Sequence, residues 1–480
     1  MSKYEKIVWI SILIYALAFG LTTSLRHYNF QTQTGDMAIF VNTMWNTIHG
    51  RAMRNTLEEV PNTLGVHMSP ILFLLAPLYW LFTSPYTLLI LQTITVALGA
   101  LPLFYLARKI LENEKLAASL AIGYLMYPGL EWANFYDFHP ITFFPTLFLT
   151  GFYFAYEKKW LPAAIFLALA AATREDAILV VASAGIYFLI KGRQHDTVKR
   201  VASRNISFEP SREATIFSLS MIILAIIYFI ISVKILMPHF GGGLLRLDRY
   251  EHLGGSAGEI AKNIFFHPAL LAQTLLTGDK FIYLFWLLAP LGFLPLLARA
   301  EWLIIIPGLA ENLLTNYRFQ FSGLYQYDTI LVGSLFIAAI YGAKNLLALK
   351  PGFKKYAGSL ILIAAAAGFI LHSPIKPIGF PIALFKSNPH WTTLREIMKK
   401  VPADASVAAH TNLVPHLAHR EKIYLLGREP APADIVLIDG ADYFGFESPA
   451  ELEAYVDRHM ISGRYTMEVI QNRYFILKKK

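Results

Sequence analysis

Long runs of apolar residues recur along this 480-residue chain and constrain its fold more than any other feature. Hydrophobic residues make up 55% of the chain, charged residues only 16%, and the mean hydropathy is +0.45. A soluble globule needs a more polar surface than this, whereas a bilayer is spanned by helices of about 20 apolar residues. The sequence therefore predicts an all-α polytopic membrane protein.

Lysine and arginine residues between the apolar runs predict the topology, because they accumulate in cytoplasmic loops. Lys3 and Lys6 precede a first apolar stretch that is too long for a signal-peptide core, so it is predicted to be an uncleaved span. The basic stretch 191–212 is predicted to be cytoplasmic. About eleven spans follow, with the N-terminus inside and the C-terminus outside. The net charge of +9 then reflects cytoplasmic loops rather than nucleic-acid binding, and the absence of cysteine excludes disulfides and thiolate metal sites.

Two segments within residues 36–82 are predicted to lie at the outer face without spanning. Asp36–His49 has apolar residues at helical spacing and Asn42 and Asn46 on the opposite side, which is typical of a helix in the interface plane. Ser69–Phe82 is short and interrupted by prolines, so we expect a half-inserted helix.

Later segments complete the prediction. Short apolar runs on either side of Arg174-Glu175-Asp176 predict a helical hairpin, since a single span would place basic flanks on opposite sides. Residues 238–280 are predicted to be a long outer loop, and residues 281–298 one span. From about residue 386 short strand and helix patterns alternate, which predicts a small extracytoplasmic α/β domain at 386–480 after a transmembrane domain at 1–385.

Charged side chains between closely spaced spans converge on the outer side in this topology. They are Asp36, Asp137, His139, Arg174, Glu175 and Asp176. Polar groups at membrane depth are costly and usually serve a function. A hairpin turn whose charges pair locally is the alternative for residues 174–176, and a helix N-cap is the alternative for Asp36.

Asp137 and His139 are two residues apart, and Pro140 favours an extended backbone before it, so both side chains would share a face. With Asp36 they could hold a divalent cation, Mg²⁺ or Mn²⁺, or they could form a solvated loop pair. His67 is a weaker binding candidate. In the aromatic loop Tyr317–Tyr327, Arg318 suits bidentate phosphate recognition, and Tyr325 contributes to the same predicted site.

Four motifs carry a resemblance to a known family. Gly35-Asp36, His67-Met68-Ser69-Pro70, Tyr136-Asp137-Phe138-His139-Pro140 and Arg174-Glu175-Asp176 resemble the polytopic family called domain of unknown function 2079. That family is similar to the GT-C superfamily of membrane glycosyltransferases, which use polyprenyl-phosphate sugars. The resemblance implies an essential aspartate in the first outer loop, here Asp36, and an acidic motif in the second, here Asp137. This chain has Asp-x-His in place of two acidic residues there.

The predicted function is an inverting glycosyltransferase with its site at the extracytoplasmic face. Its partners would be a lipid-linked sugar donor, a lipid, glycan or protein acceptor, and the membrane lipids. Asp36 would be the general base, and Arg174 or Arg318 would stabilise the departing phosphate. A secondary transporter, or a non-catalytic scaffold or receptor, is the alternative, although the two related halves typical of transporters are not evident in the sequence.

Overall fold

The computed structural model describes residues 1–202 and 212–480, with the side chains of 192–202 excepted, so residues 203–211 of the predicted basic loop at 191–212 lie outside the described residues. The described part is mainly helical. Its α-helices are Lys3–Tyr28, Ile39–Ile48, Thr63–Val66, Ile71–Leu81, Pro85–Leu98, Ala100–Leu111, Glu114–Leu125, Pro128–Tyr136, Phe144–Tyr156, Trp160–Ala171, Ala177–Ala202, Arg212–Ile231, Met237–His239, Ala257–Phe266, Pro268–Leu275, Gly278–Leu288, Trp302–Leu314, Thr329–Leu349, Ala357–His372, Pro389–Met398, Val414–Leu417 and Pro449–Ile461. Short π-helical turns occur at Thr34–Ala38 and Ser232–Leu236. The 3-10 turns are Pro140–Phe143, Leu245–Leu253, Ala289–Leu291, Leu294–Leu297, Arg318–Phe321, Gln326–Asp328, Pro351–Lys355 and Ile382–Phe385.

The first helix shows why the chain is a membrane protein. Lys3–Tyr28 is 26 residues long, about 39 Å at 1.5 Å per residue, and a capping box between Ser2 and Glu5 fixes its start. Leu13, Ile14 and Leu17 are 58–64% exposed on it, as expected of side chains that face lipid.

Four helical stretches within the described residues are long and apolar enough to cross a bilayer by themselves, and a bent pair would make a fifth. They are Lys3–Tyr28, Pro85–Leu111, Arg212–His239 and Gln326–Leu349, with Pro268–Leu275 and Gly278–Leu291 as the pair. Several other apolar helices have only 10–17 residues. The count of eleven spans is therefore not confirmed and stays a prediction.

The hairpin around residues 174–176 is confirmed: Trp160–Ala171 and Ala177–Ala202 are separate helices joined by a five-residue turn. Two other predictions are wrong. The segment 238–280 is largely helical, because Ser256 caps Ala257–Phe266 and Pro268 begins the next helix. The predicted span 281–298 is interrupted. Its α-helix ends at Leu288, a 3-10 turn follows at Ala289–Leu291, and Gly292 and Phe293 then adopt the left-handed conformation.

The C-terminal residues form a five-stranded sheet of order β2-β1-β3-β5-β4. The strands are β1 Val407–Ala409, β2 Ile423–Leu425, β3 Ile435–Asp439, β4 Tyr465–Ile470 and β5 Tyr474–Lys479. β1 lies parallel to both β2 and β3, and β5 is antiparallel to β3 and β4. Gln471 and Asn472, both with positive φ, turn the β4–β5 hairpin. The predicted strands and helices of this region are confirmed.

One face of this sheet packs against the helices that begin at residues 39 and 71, through a shared cluster that includes Val41, Leu72, Val407 and Ile476. The helix Pro449–Ile461 covers the other face. Residues 39–48 form the predicted helix, but its polar side packs against the C-terminal region instead of facing water. Asn42 and Asn46 are fully buried, and the Asn42 amide donates to the carbonyl oxygens of Ala418 and Arg420 at 3.1 and 2.8 Å.

Candidate active site at the outer loops

Asp36 lies in the first turn of the π-helical segment Thr34–Ala38, whose N-cap is Gln33. The N-cap interpretation of Asp36 is therefore wrong. The segment is held from outside the helix by Thr411: the backbone N–H of Thr34 donates to the Thr411 hydroxyl at 3.1 Å, and the Thr34 hydroxyl donates to the Thr411 carbonyl at 3.1 Å. These contacts leave the Asp36 side chain available for other partners.

The partner of Asp36 is His139, with 2.6 Å between Asp36 Oδ1 and His139 Nε2. The imidazole is nearly buried, while the Asp36 side chain keeps 23% of its surface exposed. His139 is extended before Pro140 as predicted, and its backbone N–H donates to Gln92 Oε1 at 2.9 Å. Gln92, a buried amide within an apolar helix, was not predicted, although a polar residue in a span is itself a signal.

Electrostatics keep Asp36 ionised. Burial favours the neutral acid, but the charge and hydrogen bond of His139 and a hydrogen bond from Tyr136 outweigh it, so the pKa of Asp36 lies below its usual value. A partly exposed carboxylate that is charged at neutral pH can accept a hydrogen bond from an incoming hydroxyl.

The Asp137 side chain has different partners from those of Asp36. It is fully buried, it accepts from the backbone N–H of Gln33 at 3.1 Å, and Arg26 Nη1 lies 3.6 Å from its Oδ1. Burial raises the pKa of Asp137 to about 7, with the nearby charge of Arg26 opposing that rise. Asp137 thus ties the second outer loop to the end of the first helix, next to Asp36.

A second group of charges surrounds the turn at residues 174–176. Arg174 Nε donates to Asp176 Oδ1 at 2.7 Å, and its Nη2 donates to Glu311 Oε1 at 2.8 Å. Glu175 accepts from the backbone N–H of Met68 at 3.0 Å and lies 3.0 Å from His67 Nδ1. Glu311 was missed, although an acidic residue inside an apolar helix is a recognisable signal.

His67 acts electrostatically on both groups. Burial favours the neutral forms of Asp36 and Asp176, but nearby charges, His67 among them, hold the pKa of each below its usual value. We call the two groups together the acidic cluster: Asp36, Asp137 and His139 form one, and His67, Arg174, Glu175 and Asp176 form the other.

The aromatic loop contributes Tyr325 to the acidic cluster but not Arg318. The rings of Tyr325 and Tyr136 lie 4.8 Å apart, and burial raises the pKa of Tyr325 with Tyr317 and Asp36 adding to the shift. Arg318 is exposed and lines a separate cleft of about 290 Å³. A larger cleft of about 690 Å³, lined by Arg51, Arg54 and His239, also lies outside the acidic cluster.

Arg249, rather than Arg318, packs on the tyrosines of the aromatic loop. Its guanidinium stacks 4.2 Å from the Tyr317 ring centre and 5.5 Å from that of Tyr327, and it donates to Gln320 Oε1 at 3.2 Å. Gln320 in turn donates to the carbonyl oxygen of Glu311 at 3.2 Å. Nothing in the sequence distinguishes Arg249 from its neighbour Arg246, because its position depends on how residues 245–253 fold back.

The structure does not confirm the predicted metal site. Asp36 Oδ1 is engaged by His139 Nε2, and Asp137 faces Arg26 and a backbone amide. Within the described residues no group of three His, Asp or Glu side chains is arranged to hold a metal ion.

Comparison with solved structures places the fold. ArnT from Cupriavidus metallidurans, solved with bound undecaprenyl phosphate, superposes with a TM-score of 0.53 at 9% identity, over 97% of each chain. The same enzyme in the apo state gives 0.53 at 10% identity, over 99% of this chain and 98% of the other. The oligosaccharyltransferase AglB from Archaeoglobus fulgidus is less similar, with a TM-score of 0.39 at 12% identity, over 100% of this chain and 75% of the other.

The helical arrangement with a small C-terminal sheet is therefore similar in fold to ArnT. No curated protein matches the chain in sequence. A family model does match, over residues 26–476. The chain therefore belongs to the family of predicted membrane proteins designated DUF2079.

Proposed function

We propose that this protein is an integral-membrane, inverting glycosyltransferase that uses a polyprenyl-phosphate-linked sugar donor. The observation that carries the proposal is the ionised, partly exposed Asp36 held by His139 at 2.6 Å, within a fold like that of ArnT. ArnT was solved with bound undecaprenyl phosphate, and we propose the same class of lipid carrier for this chain.

In the proposed reaction, Asp36 accepts the proton of an acceptor hydroxyl. The acceptor oxygen forms a bond to the anomeric carbon, and the bond from that carbon to the phosphate oxygen breaks on the opposite side. The electron pair of the broken bond stays with the lipid phosphate. His139 orients Asp36 during this step, a role that depends on the short contact between them.

The departing phosphate needs a cation, and Arg249 suits that role best. Arg174 is already held by Asp176 and Glu311, whereas the Arg249 guanidinium makes no ion pair in the described part of the chain and hydrogen-bonds to the neutral Gln320 and Tyr327. A guanidinium on an aromatic platform keeps its charge and its paired N–H donors for phosphate oxygens.

We also propose that the chain consists of a transmembrane domain at 1–385 and an outer α/β domain at 386–480. Thr411 of the outer domain holds Thr34, two residues before Asp36, so this domain fixes one wall of the proposed acceptor entrance. The acceptor would be a lipid, a glycan or a protein.

Asp36→Asn tests the function. Asparagine keeps an oxygen that can bond to His139 but cannot take a proton near neutral pH, so transfer should fall about 100-fold. Thermal stability should fall only moderately, because the charge of Asp36 beside His139 is lost while the hydrogen bond is kept. The measurement is transfer of a labelled sugar from polyprenyl phosphate by the purified protein in lipid vesicles. Asp457→Asn, at an exposed carboxylate on the outer helix Pro449–Ile461, is the matched control and should keep full activity.

Undiminished transfer by Asp36→Asn would remove the catalytic assignment. Accumulation of an unmodified labelled compound inside the vesicles, without transfer, would favour the transporter instead.

A further inference from the structure

The cleft that contains Arg318 lies on the other side of the aromatic loop from Asp36. Tyr325 packs on Tyr136, and Tyr317 and Tyr327 pack on Arg249. Arg318, in the same loop, instead faces a space of about 290 Å³ that it shares with Asp279, Trp286 and His372. One loop therefore forms a wall of two distinct sites.

The charges that line this cleft are not neutralised by each other. Arg318 and Asp279 are both exposed, and neither forms an ion pair in the part of the chain that the structure describes. Buried Asp328 adds a second carboxylate to the lining. Its Oδ1 accepts from the Tyr283 hydroxyl at 2.7 Å, and its Oδ2 receives no hydrogen bond from the described residues. A ligand would therefore meet an exposed cation, an exposed carboxylate and a buried carboxyl group within one small space.

An aromatic surface completes the cleft. The Trp286 and His372 rings pack at an interplanar angle of 50° with centroids 3.6 Å apart, and the carbonyl oxygen of His372 accepts from Trp132 Nε1 at 2.7 Å, which helps to fix that pair. An indole ring beside carboxylates attracts ammonium groups through its negative face.

The cleft also borders the lipid-facing surface. Ile282 lines it and is 61% exposed, on the same helix as Phe281 and Phe285, which are 56% and 50% exposed. A ligand that places its polar head in the cleft could therefore extend apolar chains along this helix, Gly278–Leu288, without leaving the bilayer.

We infer that this cleft is a binding site for the head group of a zwitterionic phospholipid. Arg318 binds the phosphate, and Asp279 and Trp286 bind the ammonium group. A purely anionic head group would be repelled by Asp279, and a purely cationic one by Arg318. The site is separate from the acidic cluster, so the inference does not depend on the proposed glycosyl transfer.

Native mass spectrometry of the delipidated protein tests the inference. The probes are phosphatidylethanolamine, phosphatidylglycerol and a neutral hexosyl diacylglycerol, each with the same acyl chains. Wild-type protein should bind phosphatidylethanolamine about tenfold more tightly than the other two, the scale of one hydrogen bond to a charged group. Arg318→Gln should lower the affinity for both phospholipids by about tenfold.

Asp279→Asn gives a readout that a merely structural role would not produce. It should weaken phosphatidylethanolamine binding and strengthen phosphatidylglycerol binding, so that the preference between them disappears. Arg299→Gln removes an exposed arginine elsewhere on the surface and should change neither affinity. Equal binding of all three lipids by wild type, tighter binding of the glycolipid, unchanged phospholipid affinity in Arg318→Gln, or an unchanged preference in Asp279→Asn would overturn the inference.

Discussion

At the scale of single residues, the pKa values of two aspartates in the acidic cluster are shifted in opposite directions. Asp36 has an imidazole at 2.6 Å and keeps a depressed pKa, whereas Asp137 is fully buried with Arg26 no closer than 3.6 Å, and burial raises its pKa to about 7. Distance to the counter-charge, set against desolvation, decides which carboxylate is charged at neutral pH.

The raised pKa of Asp137 predicts a pH-dependent stability. The folded state binds this proton more tightly than the unfolded chain, so the stabilisation is complete below about pH 4 and is lost as pH rises through about 7. Asp137→Asn keeps an acceptor for the Gln33 amide and removes the titration. In thermal denaturation, Tm should decline as the pH is raised from 5 to 8, and the decline should be smaller in Asp137→Asn than in wild type. Parallel plots of Tm against pH for the two proteins would contradict this prediction.

Arg249 and Arg174 predict opposite consequences of the same substitution. Arg249→Gln should leave Tm nearly unchanged, because no carboxylate depends on it, and should weaken binding of polyprenyl phosphate about tenfold. Arg174→Gln should destabilise the protein by about 3 kcal/mol or more, because Asp176 and Glu311 would lose their shared cation. Calorimetry and lipid-phosphate titration of both variants distinguish the roles; a large loss of Tm in Arg249→Gln would show that Arg249 is structural.

At the scale of elements, the segment 410–423 attaches the sheet to the membrane helices. Thr411 bonds to Thr34, Asn42 bonds to the carbonyl of Ala418, and the His416 ring stacks on His27 with centroids 4.1 Å apart. Tyr79 adds a contact, with its hydroxyl 2.7 Å from His419 Nε2. The first outer loop is therefore shaped by a segment nearly 380 residues away in sequence.

His416 and His419 of this segment predict acid sensitivity. Burial lowers the pKa of His416 well below its usual value, with His27 adding to the shift, and burial lowers the pKa of His419 to about 4. Stability from neutral histidine is present above about pH 6.5 and is lost as pH falls below it. Acidification to pH 5 should increase protease cleavage near residue 386, and His416→Phe should reduce that increase. Equal cleavage of both proteins at pH 5 would contradict this role.

At the scale of the whole molecule, orientation in the membrane stays a prediction that cysteine labelling can test. The chain has no cysteine of its own, so single substitutions give an unobstructed signal. Ser387 and Ser256 should react with an impermeant thiol reagent from outside, and Gly352 and Ser203 should not. Ser203 lies outside the described residues, whereas the other three positions are exposed. Labelling of Ser203 with protection of Ser387 would invert the topology.

The sequence by itself determined the membrane class, the C-terminal strands and helices, the hairpin at residues 174–176 and the extended Asp137–His139 segment, because these follow from hydropathy and local backbone preference. It did not determine where the spans break or that residues 245–275 are helical, since left-handed turns and caps interrupt an apolar pattern without changing its composition.

Only the tertiary structure decided the partners. Asp36 and His139 are 103 residues apart, Thr34 and Thr411 are 377 apart, and Arg249 reaches its tyrosines through a fold-back of the outer segment. Such contacts depend on how helices pack and on which charges are desolvated together, and these quantities are properties of the folded chain rather than of any local segment.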